Sequence, residues 1–279
     1  MNDLHLLNAK DVVVEYPRPG WRTKPHRVLH GVSMSVDAGR TLGLVGESGS
    51  GKSTFGRAVV GLVTPVSGTI TYNGEDITRR SRADQRRLSR EIQVVFQDPY
   101  SSLNPSMRIA DILAEPLVGG GASRRDASAT VRSLLDRVGL PADAGDRLPR
   151  EFSGGQRQRI AIARALAVDP RVIVCDEAVS ALDLSTQLKI LDLLIEIQES
   201  TGVAYVFITH DLGAVRYISH DVAVMYQGEI VEHGDVDQVT ESPSNAYTQR
   251  LMMAAPIADP DRQARQRDER RRLMAPVPQ

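Results

Sequence analysis

The sequence predicts an α/β core interrupted by a mostly helical insertion, and three observations carry that prediction. Short apolar runs punctuated by Gly, Pro and Asn fill the first third of the chain: "DVVVEY", "GVSMSV", "TLGLVG" and "GTITYNG", a texture of strands and turns. From Tyr100 to about Ala165 such runs vanish, and helical patterns such as "ASATVRSLLDRVGL" take over, with Gly139 and Pro141 as stop signals. Strand texture then returns in "RVIVCDE", "AYVFITHD" and "DVAVMYQGEIVEHG", with helices between them.

Taken in order, the N-terminus "MNDLHLLNAKDVVVEY" carries acidic residues and no long apolar core, so no signal peptide is expected. "KSTFGRAVVGL" follows the buried run "TLGLVG" and reads as a helix. Arg79 to Arg90, "RRSRADQRRLSR", lacks the interleaved aromatics of a nucleic-acid surface and reads as a solvated helix or loop. "EIQVVFQDP" is a strand ended by a proline. The main domain is expected over residues 4–254, with the helical insertion at about 98–165. Residues 255–279 are charged, Pro-flanked and poor in apolar residues, and read as a mobile or peripheral-helical tail.

Composition narrows the function classes. The apolar (41%) and charged (25%) fractions are those of an ordinary globular protein. A formal net charge of −1 provides no global basic field to recruit nucleic acid or an anionic membrane. The single cysteine, Cys175, excludes internal disulfides, Cys-ligated zinc and iron–sulfur clusters held by this chain alone. No run approaches the roughly 18–20 apolar residues needed to span a bilayer, so a partner would have to do the spanning in any membrane process.

Two stretches carry phosphate chemistry. In "TLGLVGESGSGKSTFGRAVVGL", the pattern Gly46-x-x-x-x-Gly51-Lys52-Ser53 lies between a buried strand and a helix. Its glycines let backbone N–H groups curl around small anionic oxygens, and the following helix points its positive end at the same place. Lys52 adds a full charge toward β- and γ-phosphates, and the Ser53 hydroxyl is a hard oxygen suited to Mg²⁺. In "RVIVCDEAVSALD", a buried strand delivers two carboxylates at its end, where open parallel sheets bind ligands. Asp176 suits the Mg²⁺ shell, and Glu177 can polarise an attacking water as general base. Cys175 reads as a buried strand residue. His210 and Gln97 end two further strands near the same edge, His210 for the γ-phosphate or attacking water, Gln97 for Mg²⁺ or water.

A second glycine-led helix start is harder to place. In "EFSGGQRQRIAIARAL", Ser153 is a good N-cap, Gly154 and Gly155 permit close approach, and Gln156 and a basic helix follow. Two cradles cannot wrap one phosphate from the same side, so this one must close from the opposite face, within one chain or between chains.

The ordered set "GESGSGKST", "FQDP", "FSGGQRQRIAIARAL", "VIVCDEAVSALD" and "ITHD" resembles the nucleotide-binding domain of an ABC transporter over about residues 4 to 255. The resemblance implies a P-loop NTPase (RecA-like) core with an N-terminal antiparallel β subdomain and an inserted α-helical subdomain. It implies ATP and Mg²⁺, and an ATPase. Gly46, Glu47, Ser48, Gly49, Ser50, Gly51, Lys52, Ser53 and Thr54 would form the phosphate loop, with Ser53, Gln97 and Asp176 at the metal. Glu177, His210 and Gln97 would be catalytic. Ser153, Gly154, Gly155 and Gln156 would complete the ATP site of a partner cassette in a head-to-tail dimer, beside the dimer-facing Ser180–Asp183. Tyr16 lies where the family places an adenine-stacking aromatic, a contact worth about 1–3 kcal/mol by analogy with base stacking; Trp21 is its rival. The chain departs from the family at Phe152, where Leu is commoner, and at Ala178-Val179, where Pro-Thr is commoner.

"VFQDPYSSLNPSMRI", "YISHDVAVMYQGEIVEHG" and "ESPSNAYTQRLMMAAP" resemble the ATPase subunits of oligopeptide, dipeptide and nickel importers. Some members add a cysteine-rich iron–sulfur tail, which a chain with no cysteine after Cys175 should lack. The resemblance implies two membrane-spanning permease subunits, a second ATP-binding subunit (a copy or a paralogue), an extracytoplasmic solute-binding protein, and a peripheral place on the cytoplasmic face of the membrane. "YSSLNPSMRIADIL" is the expected docking zone for a permease helix. The alternative, an ATPase acting on nucleic acid or ribosomes, would need a long coiled coil between the two cradles or two cassettes in one chain.

Overall fold

A computed structural model describes residues 5–18, 25–98 and 102–254. Leu7–Tyr16 (β1) and His26–Val36 (β2) pair antiparallel, and Thr41–Val45 (β3) follows. Ser67–Tyr72 (β4) and Glu75–Asp76 (β5) join the first pair in a four-stranded sheet of order β2-β1-β4-β5. Burial in β1 alternates through Leu7 and Ala9, then changes parity to Val12 and Val14. A bulge at Asp11 (φ +52) inserts the extra residue, and the Ser33 hydroxyl accepts its N–H at 2.8 Å.

The second sheet has the order β10-β9-β3-β8-β7-β6, built from Ile92–Phe96 (β6), Val172–Asp176 (β7), Ala204–Thr209 (β8), Asp221–Tyr226 (β9) and Glu229–Asp235 (β10). All pairings are parallel except β9 with β10. β3, β7 and β8 are buried along their whole length, as expected of strands covered on both faces. Leu42, Leu44, Val174 and Val206 pack toward the antiparallel sheet. Ile173, Cys175, Tyr205 and Phe207 pack toward the other helical layer. Cys175 is fully buried, and burial pushes its thiol up to about 12, which leaves it inert as a nucleophile.

Among the described residues no strand lies between Phe96 and Val172. After Lys52–Val59 (α1) and Arg82–Glu91 (α2), that stretch holds Ile109–Gly119 (α3), Arg124–Arg137 (α4), two 3₁₀ turns and Gly154–Leu166 (α5). The Arg-rich α2 is capped by a reciprocal Ser81–Asp84 pair and buries only Leu88, as a solvated helix does. Phe152, Ala178 and Val179, the departures from the family pattern, are all buried in the larger core. Leu184–Thr201 (α6), Leu212–Ile218 (α7), Val236–Glu241 (α8) and Ala246–Ala254 (α9) are the remaining helices among the described residues. No helix is long and apolar enough to cross a membrane, among the described residues. The tail 255–279 lies outside the described residues, as do Tyr100 and Ser101 of the expected docking zone.

Candidate functional site

The parallel strands end together. Val45 pairs with Thr209, Ile208 with Asp176, and Asp176 with Phe96. The next residues of each strand therefore share one sheet edge: the glycine loop after β3, Gln97 after β6, Glu177 after β7 and His210 after β8. They line a cleft of about 320 Å³ with Ser48, Gly49, Gly51, Lys52, Ser53, Thr54 and Val28.

The loop's shape needs its glycines. At Gly46 (φ +153) a Cβ would lie 2.1 Å from the Met225 carbonyl oxygen, and at Gly51 (φ +111) 2.8 Å from Leu29 Cδ2. Gly49 (φ +83) faces open space. Lys52 is 5% exposed, and its Nζ donates to the Gly46 carbonyl at 2.7 Å and the Glu47 carbonyl at 2.9 Å. Burial lowers the Lys52 pKa, against the pull of Glu177, Asp176 and Glu47. The buried Ser50 hydroxyl has no partner among the described residues.

On the facing wall, the Ser53 hydroxyl donates to Asp176 Oδ1 at 2.8 Å. Burial raises the Asp176 carboxyl pKa, the Ser53 bond opposing it. Glu177 has φ +55, a left-handed conformation that costs a non-glycine residue about 1–3 kcal/mol. Its N–H still donates to Ile208 O at 2.9 Å, while the Ser180 hydroxyl donates to its carbonyl at 2.9 Å. The chain thus turns sharply at Glu177, and the carboxylate meets His210 Nδ1 at 2.8 Å. Asp211, the next residue, caps α7 through Gly213 N and Ala214 N and accepts from Gln187 Nε2 at 2.6 Å. Gly49 with open space beside it, a hydroxyl and a carboxylate in contact, and a cationic amine fit a polyphosphate with a hard divalent cation. Ser53 and Asp176 could hold the cation.

Ser153, Gly154, Gly155 and Gln156 do not line this cleft. Ser153 caps α5, and it and Gln156 bond reciprocally, 3.0 Å from Ser153 N to Gln156 Oε1 and 3.4 Å from Gln156 N to Ser153 Oγ. Gly155 has a further reason to be glycine. A Cβ there would lie 2.3 Å from the Thr186 methyl, in the first turn of α6. Asp183 caps that helix, accepting from Thr186 N and Ser185 Oγ, bonds that hold its carboxyl down to about 2. The arginines of α5 serve the fold. Arg157 donates to the carbonyls of Pro149 and Arg150, Arg159 to Val138 and Arg164 to Ser102.

Tyr16 ends β1 and does not line the cleft; its ring packs against the smaller core, and its buried hydroxyl has no partner among the described residues. Trp21 lies outside the described residues. Two contacts to the loop escaped the sequence reading. Gly228 N donates to Ser50 O at 2.9 Å from the β9–β10 turn, and Glu47 N donates to the Tyr247 hydroxyl at 3.1 Å. The "QG" turn dipeptide was a signal for the first. Tyr247 had none beyond its place in "AYTQRL".

Residues 29–180 match the profile of the family described as ABC transporter. Over 267 residues the chain is 49% identical to "Glutathione import ATP-binding protein GsiA" of Escherichia coli (strain K12), covering 94% of this chain and 43% of that protein. It is 47% identical over 266 residues to the protein of that name from Pectobacterium atrosepticum, again covering 94% of this chain and 43% of that protein. The chain therefore spans less than half the length of these curated relatives. Among solved structures, cbiO1 from Clostridium perfringens, part of the ABC transporter complex cbiONQ, superposes with a TM-score of 0.77 at 27% identity, over 86% of this chain and 92% of that one. The ATP-binding cassette MJ0796, solved as a post-hydrolysis dimer bound to ADP and Pi, gives 0.74 at 27% identity, over 82% and 98%.

Proposed function

We propose that this chain, which belongs to the ABC transporter family, is the ATP-hydrolysing subunit that powers import of oligopeptides, dipeptides or a related small solute through a membrane permease. One observation carries the ATPase reading. The phosphate loop, Glu177 and His210 line one cleft, with Asp176 bonded to its Ser53, while Ser153 to Gln156 stand outside it. That separation supports a sandwich in which each cassette's Ser153-Gly154-Gly155-Gln156 closes on the partner's ATP, with Asp183 at the seam. The dimeric state of the MJ0796 cassette supports the pairing of two cassettes.

In this mechanism Lys52 leaves the Gly46 and Glu47 carbonyls for the β- and γ-phosphates, and the amides of Ser48 to Thr54 wrap them. Ser53, Asp176 and Gln97 would hold Mg²⁺, which when bound neutralises charge on the phosphoryl oxygens. Glu177 takes the proton of the attacking water. His210, in contact with Glu177, orients that carboxylate and reaches the γ-phosphate. Tyr16, or its rival Trp21, would stack on adenine.

The partners proposed are two membrane-spanning permease subunits, a second ATP-binding subunit (a copy or a paralogue) and an extracytoplasmic solute-binding protein, with the chain on the cytoplasmic face of the membrane. Glutathione, the cargo in the relatives' name, supports a small peptide-like solute. A groove lined by Met107, Ala110, Asp111, Ala114 and Val131, at the end of the expected docking zone, supports a permease contact there. The test has two arms. Purified chain should release phosphate from ATP with Mg²⁺, and Lys52→Ala should not; equal release by both sinks the ATPase reading. A tagged chain should draw two permease subunits from a membrane extract; capture of ribosomal or nucleic-acid complexes in their place would favour the alternative.

A further inference from the structure

Tyr247 reaches from α9 into the phosphate loop, where its hydroxyl accepts the Glu47 N–H at 3.1 Å. Its ring is 7% exposed and packs on Tyr226 at the end of β9, with ring centroids 4.2 Å apart. The Glu47 carbonyl is held separately, by Lys52 Nζ at 2.9 Å. The residue is thus gripped at both its backbone polar groups, once by the loop's own helix and once from the far end of the chain.

The two grips respond differently to a triphosphate. Lys52 has three N–H donors and one position. Turning them toward phosphate oxygens loosens its hold on the carbonyls of Gly46 and Glu47, which leaves Ser50 N, at 3.2 Å, as the Glu47 carbonyl's donor within the loop. The Tyr247 bond faces away from that exchange and can persist through it. It is the contact from outside the loop that keeps Glu47 in place while Lys52 moves.

The segment before α9 is built to present this tyrosine. Asn245 Oδ1 accepts the Tyr247 N–H at 2.8 Å, and Asn245 Nδ2 donates to Val231 O at 3.3 Å. The Glu232 carboxylate accepts Ser244 N at 2.6 Å, Ser244 Oγ at 2.8 Å and Asn245 N at 3.2 Å. A tyrosine serving only as core filler would account for the ring's burial. It would not account for a hydroxyl spent on a loop amide, nor for a turn pinned on β10 to aim it.

We infer that Tyr247 is a positioning residue for the nucleotide: by accepting the Glu47 amide it preorganises the phosphate loop, and it ties the loop's affinity for ATP to the seating of α9. This rests on the ATP-binding reading above. Tyr247→Phe keeps the ring and removes the acceptor. The full chain is compared with the variant by binding of a fluorescent ATP analogue, by steady-state hydrolysis, by thermal melting and by amide hydrogen exchange in the peptide containing Glu47. Loss of one neutral hydrogen bond should weaken binding and raise KM for ATP about fivefold. The value of kcat should stay near wild type, the ligand-free melting temperature should fall by only about 2–4 °C, the share of one hydrogen bond, and exchange at the loop should quicken without nucleotide. Tyr247→Phe that binds and exchanges like wild type overturns the inference, as does a lower melting temperature and kcat with KM unchanged, the signature of a core tyrosine alone. A wild-type chain that fails to bind the analogue overturns the ATP reading and this inference together, whereas the first two outcomes overturn only the inference.

Discussion

His210 Nδ1 lies 2.8 Å from Glu177 Oε2 and 3.0 Å from its Oε1, a contact between residues at the ends of neighbouring strands β7 and β8. The histidine is 61% exposed and the glutamate 15%, so the carboxylate is the sheltered member and the ring is its lid toward the cleft. The carboxylate also sits on a left-handed residue that the fold holds in place, an arrangement that aims it without a flexible approach.

Glu177→Gln keeps the shape of that contact and removes the base. Turnover should fall by about 10²–10⁴-fold, the range for loss of a general base, while ATP binding is retained and a dimer accumulates with ATP. His210→Ala should lower kcat with a smaller change in ATP affinity. Phosphate release and size-exclusion chromatography with ATP check both; wild-type turnover in Glu177→Gln would remove Glu177 from its proposed role.

Asp176→Asn separates stability from function. Burial raises the Asp176 pKa above the ordinary 3.8, so the ionised form is disfavoured in the folded, ligand-free protein. That penalty begins as pH rises above the unfolded value and is complete above the raised folded one. Ligand-free Asp176→Asn should therefore melt at or above the wild-type temperature at neutral pH. The difference should shrink as pH falls into the carboxylate range, and the variant should lose the stabilisation wild type gains from Mg²⁺ with ATP. Melting curves across pH decide it, and a neutral-pH melting temperature well below wild type would contradict the assignment.

Gly155→Ala should destabilise the ligand-free chain by about 1–3 kcal/mol, an overpacking cost, because the new Cβ would meet the Thr186 methyl at 2.3 Å. Thr186→Ser removes that methyl, and the double variant should recover most of the stability, since the next Thr186 atom is 3.7 Å away. Denaturant titration of the single and double variants measures it. Absence of rescue would place the glycine requirement elsewhere.

Closure in trans has its own signature. Lys52→Ala spoils a chain's own phosphate loop, and Ser153→Ala its contribution to a partner. In chains that pair with themselves, mixing the two inactive variants should restore phosphate release toward half the wild-type value per mixed dimer, because one composite site is then intact. Closure within a chain leaves the mixture inactive.

Much of the site was legible because its chemistry is local. A glycine pattern between strand and helix, a carboxylate pair after "RVIVC" and a histidine after "AYVFIT" each announce themselves within a dozen residues. Parity was less legible: "LNAKDVVVEY" reads as one strand, and only the bulge at Asp11 reconciles its two buried faces. The basic face expected of α5 went into backbone clamps, because Arg157 is 7% exposed and, away from water, turns donors to the carbonyls of Pro149 and Arg150.

By itself, the sequence determined the order of α/β elements, the helical interruption and the residue types suited to phosphate, because strand periodicity and loop chemistry act over short spans. Tertiary structure alone decided what those residues touch. It placed four strand ends in one register, turned Glu177 onto His210, set Gly155 against Thr186 and brought Tyr247 to Glu47 across 200 residues. Such contacts come from packing between segments far apart in the chain, where a side chain's partner depends on the whole fold rather than on its neighbours in sequence.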